Sequence, residues 1–105
     1  MAALIQCEAG GECYEGKVAV GAVVMNRVRS GRYPNSMTEV IYASGQFTPA
    51  GNGKVAAVLT NGPKAACIQA AQEAINGVDN TSGAVSFRQA RTGHAGLVIG
   101  NHVFF

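Results

Sequence analysis

Charge is scarce in this chain, and negative charge scarcest of all. Of 105 residues only 13% are charged, and the acids number six: Glu8, Glu12, Glu15, Glu39, Glu73 and the single aspartate Asp79. Any acid/base chemistry must draw on that short inventory. Tryptophan is absent and aromatics make up 7%, so broad stacking platforms for single-stranded nucleic acid are missing. The basic residues form no block. Arg27, Arg29 and Arg32 cluster where a helix should end, a place that favours cations, so nucleic acid is not an expected partner. No apolar run approaches the roughly 20 residues of a membrane span. Ala2 to Ile5 is too short for a signal peptide, so any export signal is expected outside this chain. The cysteines are three, Cys7, Cys13 and Cys67, at spacings that match no zinc pattern, and His94 and His102 lie far from them. No metal and no cofactor is called for.

What is there is apolar. Nearly half the residues are hydrophobic, and the length suits one domain over residues 1–105, expected to act as a monomer. Residues 3–9 read as a short helix in which Leu4 shares a face with Cys7 and Glu8, with Gly10-Gly11 as its stop. Glu15 to Arg29 carries the strongest helical pattern. Val20, Val24 and Val28 form one row and Ala19, Val23 and Asn26 a second, which predicts a central helix ended by Gly31 and Pro34. Ser36 with Glu39 three residues on predicts a capped helix start running to about Ala43. Ser44 to Gly53 reads as a glycine- and proline-punctuated loop or tight hairpin. Lys54 to Leu59 is too short to type by period. Asn61-Gly62-Pro63 opens a further helix to about Asn76 that turns Cys67, Ala70, Ala71 and Ala74 inward. Ala84 to Arg88 and Leu97 to Ile99 look like strands, separated by a polar segment expected to be mobile. The chain therefore reads as mainly helical with short β pieces.

The acids sort by context. Glu39 has a capping role, Glu15 opens the long helix, Glu73 lies on a polar helix face, and Asp79 sits in a turn-forming loop. Glu8 and Glu12 remain. Glu8 falls in the last turn of its helix, where the negative end of the helix dipole and partial burial both favour a protonated carboxyl. A general acid needs that state near neutral pH. Two-carboxylate glycoside hydrolysis needs a partner at a set separation, and the inventory marks none, so a one-acid mechanism fits better. A cysteine nucleophile with a histidine base, Cys7 or Cys13 with His94 or His102, is the rival chemistry. For Cys7 the helix end and the adjacent Glu8 both oppose a thiolate.

The run Cys7-Glu8-Ala9-Gly10-Gly11-Glu12, followed by Tyr14 through Val28, resembles the catalytic domain of bacterial cell-wall hydrolases of the spore cortex-lytic type. Arg32-Tyr33-Pro34-Asn35, Gly45-Gln46-Phe47-Thr48 and the closing Ile99 to Phe105 agree with that pattern in order. The Cys-Glu-x-Gly-Gly piece is also similar to resuscitation-promoting factors. Cys7 and Cys13 depart from the cortex-lytic pattern. The resemblance implies an α+β, mainly α, lysozyme-like fold and a lytic transglycosylase. It would cleave peptidoglycan between N-acetylmuramic acid and N-acetylglucosamine to leave 1,6-anhydro ends, with Glu8 as the catalytic residue. It implies action outside the cell, on the wall or on the spore cortex during germination. The alternatives are a muramidase giving reducing ends and a peptidoglycan-binding module without turnover.

Gln46 and Phe47 are candidate cleft-wall residues for hydrogen bonding and stacking on sugars, with Ser86 and Phe87 on the opposite wall. Glu12 is a weaker candidate that would orient substrate or only satisfy turn amides. Asn26, Arg27 and His102 read as structural. Cys7 and Cys67 both face inward on their helices, which predicts a disulfide clamping the catalytic helix. Closing a loop of that length contributes about 4 kcal/mol in the chain-entropy model. A Cys13–Cys67 pairing and reduced thiols are the alternatives.

Overall fold

The computed structural model describes residues 1–105. The elements in order are α1 (Ala2–Ala9), α2 (Tyr14–Ser30), α3 (Met37–Ile41), α4 (Thr48–Gly51), α5 (Lys54–Asn61), α6 (Ala65–Ile75), β1 (Phe87–Gln89), a 3-10 turn (Ala90–Thr92), β2 (Leu97–Ile99) and β3 (His102–Phe104). This is the mainly helical α+β architecture expected from the sequence.

The long α2 is the axis. Its apolar residues are divided between two cores, the Val20–Val24–Val28 row itself being split between them, which is why the helix is buried from Val18 to Val24. Val20 and Val23 join Ile5, Cys67, Ala70 and Phe104 in a core shared with α1, α6 and the sheet. Val24 joins Leu4, Val40, Ile41, Phe47 and Val55 in a second core under α3 and α5. Helix α1 is wedged between them, with Ile5 in the first and Leu4 in the second. Close approach of α2 to α6 depends on Gly21. A Cβ there would lie 2.7 Å from the Ala74 Cβ and 3.3 Å from Ile5 Cδ1.

Helix ends follow local chemistry. Gly31, at φ 76°, closes α2 in the left-handed conformation. The Ser36 hydroxyl accepts the Glu39 amide at 3.2 Å and caps α3. Gly10 does otherwise than expected. It stays right-handed at φ −59°, so α1 does not end on a left-handed glycine. Glycine is needed there because a Cβ would fall 2.5 Å from the Gln6 carbonyl oxygen. Pro63 lies just ahead of α6 instead of in its first turn. The Lys64 amide at its start donates to Gln6 Oε1 at 2.7 Å. The untyped stretch after Gly53 is helix α5, and the Ser44–Gly53 loop contains the single turn α4.

The sheet has the order β1-β3-β2, antiparallel throughout. Phe87 and Leu97 flank Phe104, and Gln89 and Ile99 flank His102. The tight turn between β2 and β3 is Gly100-Asn101. Gly100, at φ 59°, takes the positive φ that a type II′ hairpin demands at its first position. The central strand β3 is wholly buried, and its closing residues seat the sheet on the first core.

Candidate active site

A cleft of about 460 Å³ opens between the helices and the sheet. Its floor is Glu8 of α1 and Arg27 of α2. One wall is Gly45 to Thr48, and the other is Ser86, Phe87 and Arg88 with Phe105. Glu8 is its only acidic side chain. Five of the six residues singled out for catalysis or substrate contact, Glu8, Gln46, Phe47, Ser86 and Phe87, meet here although they come from three distant parts of the chain.

Glu8 is half buried, and that burial pushes its carboxyl above the ordinary glutamate range. No hydrogen bond or neighbouring charge contributes to the shift. The helix brings this about. Leu4 and Ile5 anchor α1 in the two cores, and Glu8 lies one turn further along, on the face that opens into the cleft.

Phe47 serves two purposes. It is buried in the second core and also lines the cleft. Its ring stacks with Phe87 across the cleft at 6.4 Å between centroids. Phe87 in turn makes an edge contact with His102 at 5.2 Å and a tilted one with Phe104 at 5.7 Å, so the far wall is braced by the sheet.

Arg27 joins the two walls from below. Its Nε donates to the Val85 carbonyl at 2.6 Å and Nη1 to Gln46 Oε1 at 3.1 Å. The guanidinium lies over the Tyr33 ring at 4.9 Å and the Phe47 ring at 5.0 Å. Arg27 is therefore part of the cleft, a role that reading it as a helix-end cation misses. The signal was available: Arg27 is three residues beyond Val24, on the buried stripe, where a solvated cation would not sit. Thr48 and Phe105, which lie in the matching Gly45–Thr48 and Ile99–Phe105 pieces but were not singled out, also line the cleft, as does Arg88, which had no sequence signal.

Glu12 is placed elsewhere. It is not among the cleft-lining residues. Its carboxylate accepts the Asn101 amide at 2.8 Å and the Asn101 side chain at 3.0 Å, tying the α1–α2 turn to the β2–β3 turn. Those hydrogen bonds hold its carboxyl below the usual range. His102 Nδ1 lies 3.7 Å from the same carboxylate, and the ring is buried beside Gln89. Asp79 and Asn26 are likewise structural. Burial works against the Asp79 carboxylate, but bonds from Thr81, Asn26 and Gly83 outweigh it and lower its pKa. Asn26 also donates to the Ala84 carbonyl at 2.9 Å, fastening this loop to α2.

The expected Cys7–Cys67 disulfide is not formed. All three thiols are free. Both cysteines do point inward, but into different cores: Cys67 lies in the first, and Cys7 packs against the second. Cys13 is exposed. Burial and the adjacent Glu8 both raise the Cys7 thiol, which opposes thiolate chemistry. No group of three or more His, Cys, Asp or Glu residues is placed to hold a metal ion.

Residues 11–105 match the cell wall hydrolase family. The chain belongs to that family. The matched span starts just after Glu8, but similarity to individual relatives extends across α1. The spore cortex-lytic enzyme of Oceanobacillus iheyensis is 35% identical over 99% of this chain and 39% of that protein. The enzyme of the same name from Bacillus subtilis strain 168 is 32% identical, over 99% of this chain and 35% of its own length. The chain thus spans only about two fifths of such relatives. Among solved structures, the catalytic domain of the germination-specific lytic transglycosylase SleB from Bacillus anthracis superposes with a TM-score of 0.86. It is 35% identical, with 99% of this chain and 88% of that one covered. The catalytic domain of the Bacillus cereus SleB protein matches equally well, at 0.86 and 33% identity, over 99% of this chain and 84% of its own. The family's fold is lysozyme-like, and the helical body and small sheet described above are that fold.

Proposed function

We propose that this chain is a single catalytic domain that cleaves peptidoglycan glycan strands as a lytic transglycosylase, with Glu8 as both acid and base. The observation that carries the reading is that Glu8 is the one acidic side chain lining the cleft, and burial favours its protonated form. A hydrolase of the two-carboxylate kind would need a second acid on the opposite wall. That wall is Ser86, Phe87, Arg88 and Phe105, with no acidic side chain.

The steps follow from one carboxyl. Protonated Glu8 donates to the glycosidic oxygen between N-acetylmuramic acid and N-acetylglucosamine. The bond from the muramoyl C1 to that oxygen breaks through an oxocarbenium-like state, and the leaving glucosamine departs with the proton as a 4-hydroxyl. The Glu8 carboxylate then takes the proton of the muramoyl C6 hydroxyl, whose oxygen closes on C1. The product is a 1,6-anhydro-muramoyl end, and Glu8 is protonated again. The Phe47 and Phe87 rings offer apolar faces for the sugars, and Gln46 and Ser86 offer hydrogen bonds. The names of the relatives point to spore cortex, digested during germination, as the substrate and to action outside the cell.

Incubation with purified peptidoglycan and mass spectrometry of the fragments tests this. Anhydro-muropeptides are expected. Reducing-end products would make the enzyme a muramidase, and intact glycan with retained binding would make it a binding module.

A further inference from the structure

The mechanism above leaves one buried charge unused. Arg27 is only 6% exposed, yet it has no acidic partner: the single ion pair of the molecule is between His102 and Glu12. Glu8 shares the cleft, but its carboxyl makes no ion pair or hydrogen bond with the guanidinium. The guanidinium has five N–H groups in a fixed fork. Val85 and Gln46 take one each, through Nε and Nη1, and the Tyr33 and Phe47 rings cover its faces. Nη2 makes no hydrogen bond within the protein and is not sealed from solvent. Arg27 is among the residues that line the cleft, so that unpaired edge is the part of it left for a ligand bound there.

The surroundings add donors and positive charge. Gln46 turns its carbonyl oxygen to Arg27, which leaves its amide N–H groups for a ligand. Arg88, exposed and stacked on Phe105 at 5.6 Å, lines the same cleft. The side chains lining the cleft thus include two guanidinium groups and one carboxyl. A desolvated cation without a counter-charge is costly, and an anion placed against it recovers that cost in a low-dielectric setting. A neutral carbonyl recovers much less, since charge-assisted bonds are roughly twice as strong as neutral ones.

We propose that the free edge of Arg27, with Arg88 beside it, is a carboxylate subsite for the 3-O-lactyl substituent of a muramoyl residue. The carboxylate is either that of the lactyl group itself or that of a peptide attached to it. The subsite distinguishes muramoyl units that keep such a charge from those that have lost it, and so biases which bond along a strand is presented to Glu8. The inference rests on the reading of the cleft as a glycan site.

The test is a titration of the chain, labelled with ¹⁵N, followed by NMR at the arginine Nε–Hε resonances. The probes are N-acetylmuramic acid, N-acetylmuramoyl-L-alanine, the carboxamides of both, and N-acetylglucosamine. The expected result is binding about tenfold tighter for one or both carboxylates than for the matching carboxamides, the size of one charge-assisted bond replacing a neutral one. The Arg27 resonance should shift with the carboxylates only, and whichever acid shows the preference identifies the source of the charge. Arg88→Gln, at an exposed position, should reduce the preference without unfolding the domain. Equal affinities for acid and carboxamide would overturn the subsite while leaving the glycan reading intact. Binding of none of the muramoyl sugars would overturn both.

Discussion

Gly21 offers the most quantitative test of how the helices hold Glu8. In Gly21→Ala, the added methyl carbon would sit 2.7 Å from the Ala74 Cβ, about an ångström inside normal contact. Neither atom has a rotamer by which to escape, so α2 and α6 must move apart. Overpacking of that kind costs about 1–3 kcal/mol. Against it stands the gain of replacing glycine in a helix interior, about 1 kcal/mol. The net expectation is a loss of roughly 1 kcal/mol. The double mutant with Ala74→Gly separates the two contributions, because it removes the overlap but keeps both helix-propensity changes. The coupling energy of the cycle should therefore be about 1–3 kcal/mol in favour of the double mutant. Urea unfolding at fixed m reads it out. A second consequence concerns the cleft. Ile5 Cδ1 lies 3.3 Å from the same site, one turn before Glu8, so Gly21→Ala should also lower glycan cleavage and the double mutant should restore it. A stabilised Gly21→Ala with coupling near zero would refute the packing argument.

The remaining predictions concern the groups around the site. Glu12 has a depressed folded pKa, so its carboxylate contributes stability above the unfolded value near 4.5, and that contribution is lost as pH falls through the lower folded value. Glu12→Gln should flatten the acid limb of the stability profile, measured as urea midpoints between pH 7 and pH 3, and parallel profiles would contradict the assignment. Asn26→Ala strips the Ala84 carbonyl of its side-chain donor and Asp79 of one of its donors and should cost about 1–3 kcal/mol in chemical unfolding, whereas a neutral change would mean that the loop is held otherwise. Thiol labelling should find Cys13 reactive in the native state and Cys67 only on unfolding, with no effect of reductant on stability. A reductant-dependent loss would restore the disulfide.

What could be read in advance was local. The 3.6-residue rows of α2, its glycine stop at Gly31 and the Ser36 cap are interactions between residues a few positions apart, and they appear where the sequence places them. Helical spacing also turned Cys7 and Cys67 inward correctly. It could not say that α1 divides two cores, and the disulfide expectation failed on that point alone. Glu12 illustrates the same limit. Its partner Asn101 is 89 positions away, and no periodicity connects the α1–α2 turn to a hairpin at the other end of the chain. Arg27 is buried and structural as read, but its place in the cleft was missed. A cation in the last turn of a helix has a ready explanation in the dipole, and that explanation hid its place on the apolar stripe. The short run after Gly53 stayed untyped because its helical form is decided by burying Val55 in the second core.

The account turns on one proton at Glu8, and the direct measurement is product formation by Glu8→Gln across pH. The amide keeps the shape of the side chain but cannot give up or take the proton, so anhydro-muropeptides should fall by about 10²–10⁴-fold while unfolding remains close to wild type. In the wild type, activity should persist above the ordinary glutamate range, because burial raises the Glu8 carboxyl, and should decline as pH rises past that shifted value. Undiminished anhydro products from a folded Glu8→Gln would contradict the central claim.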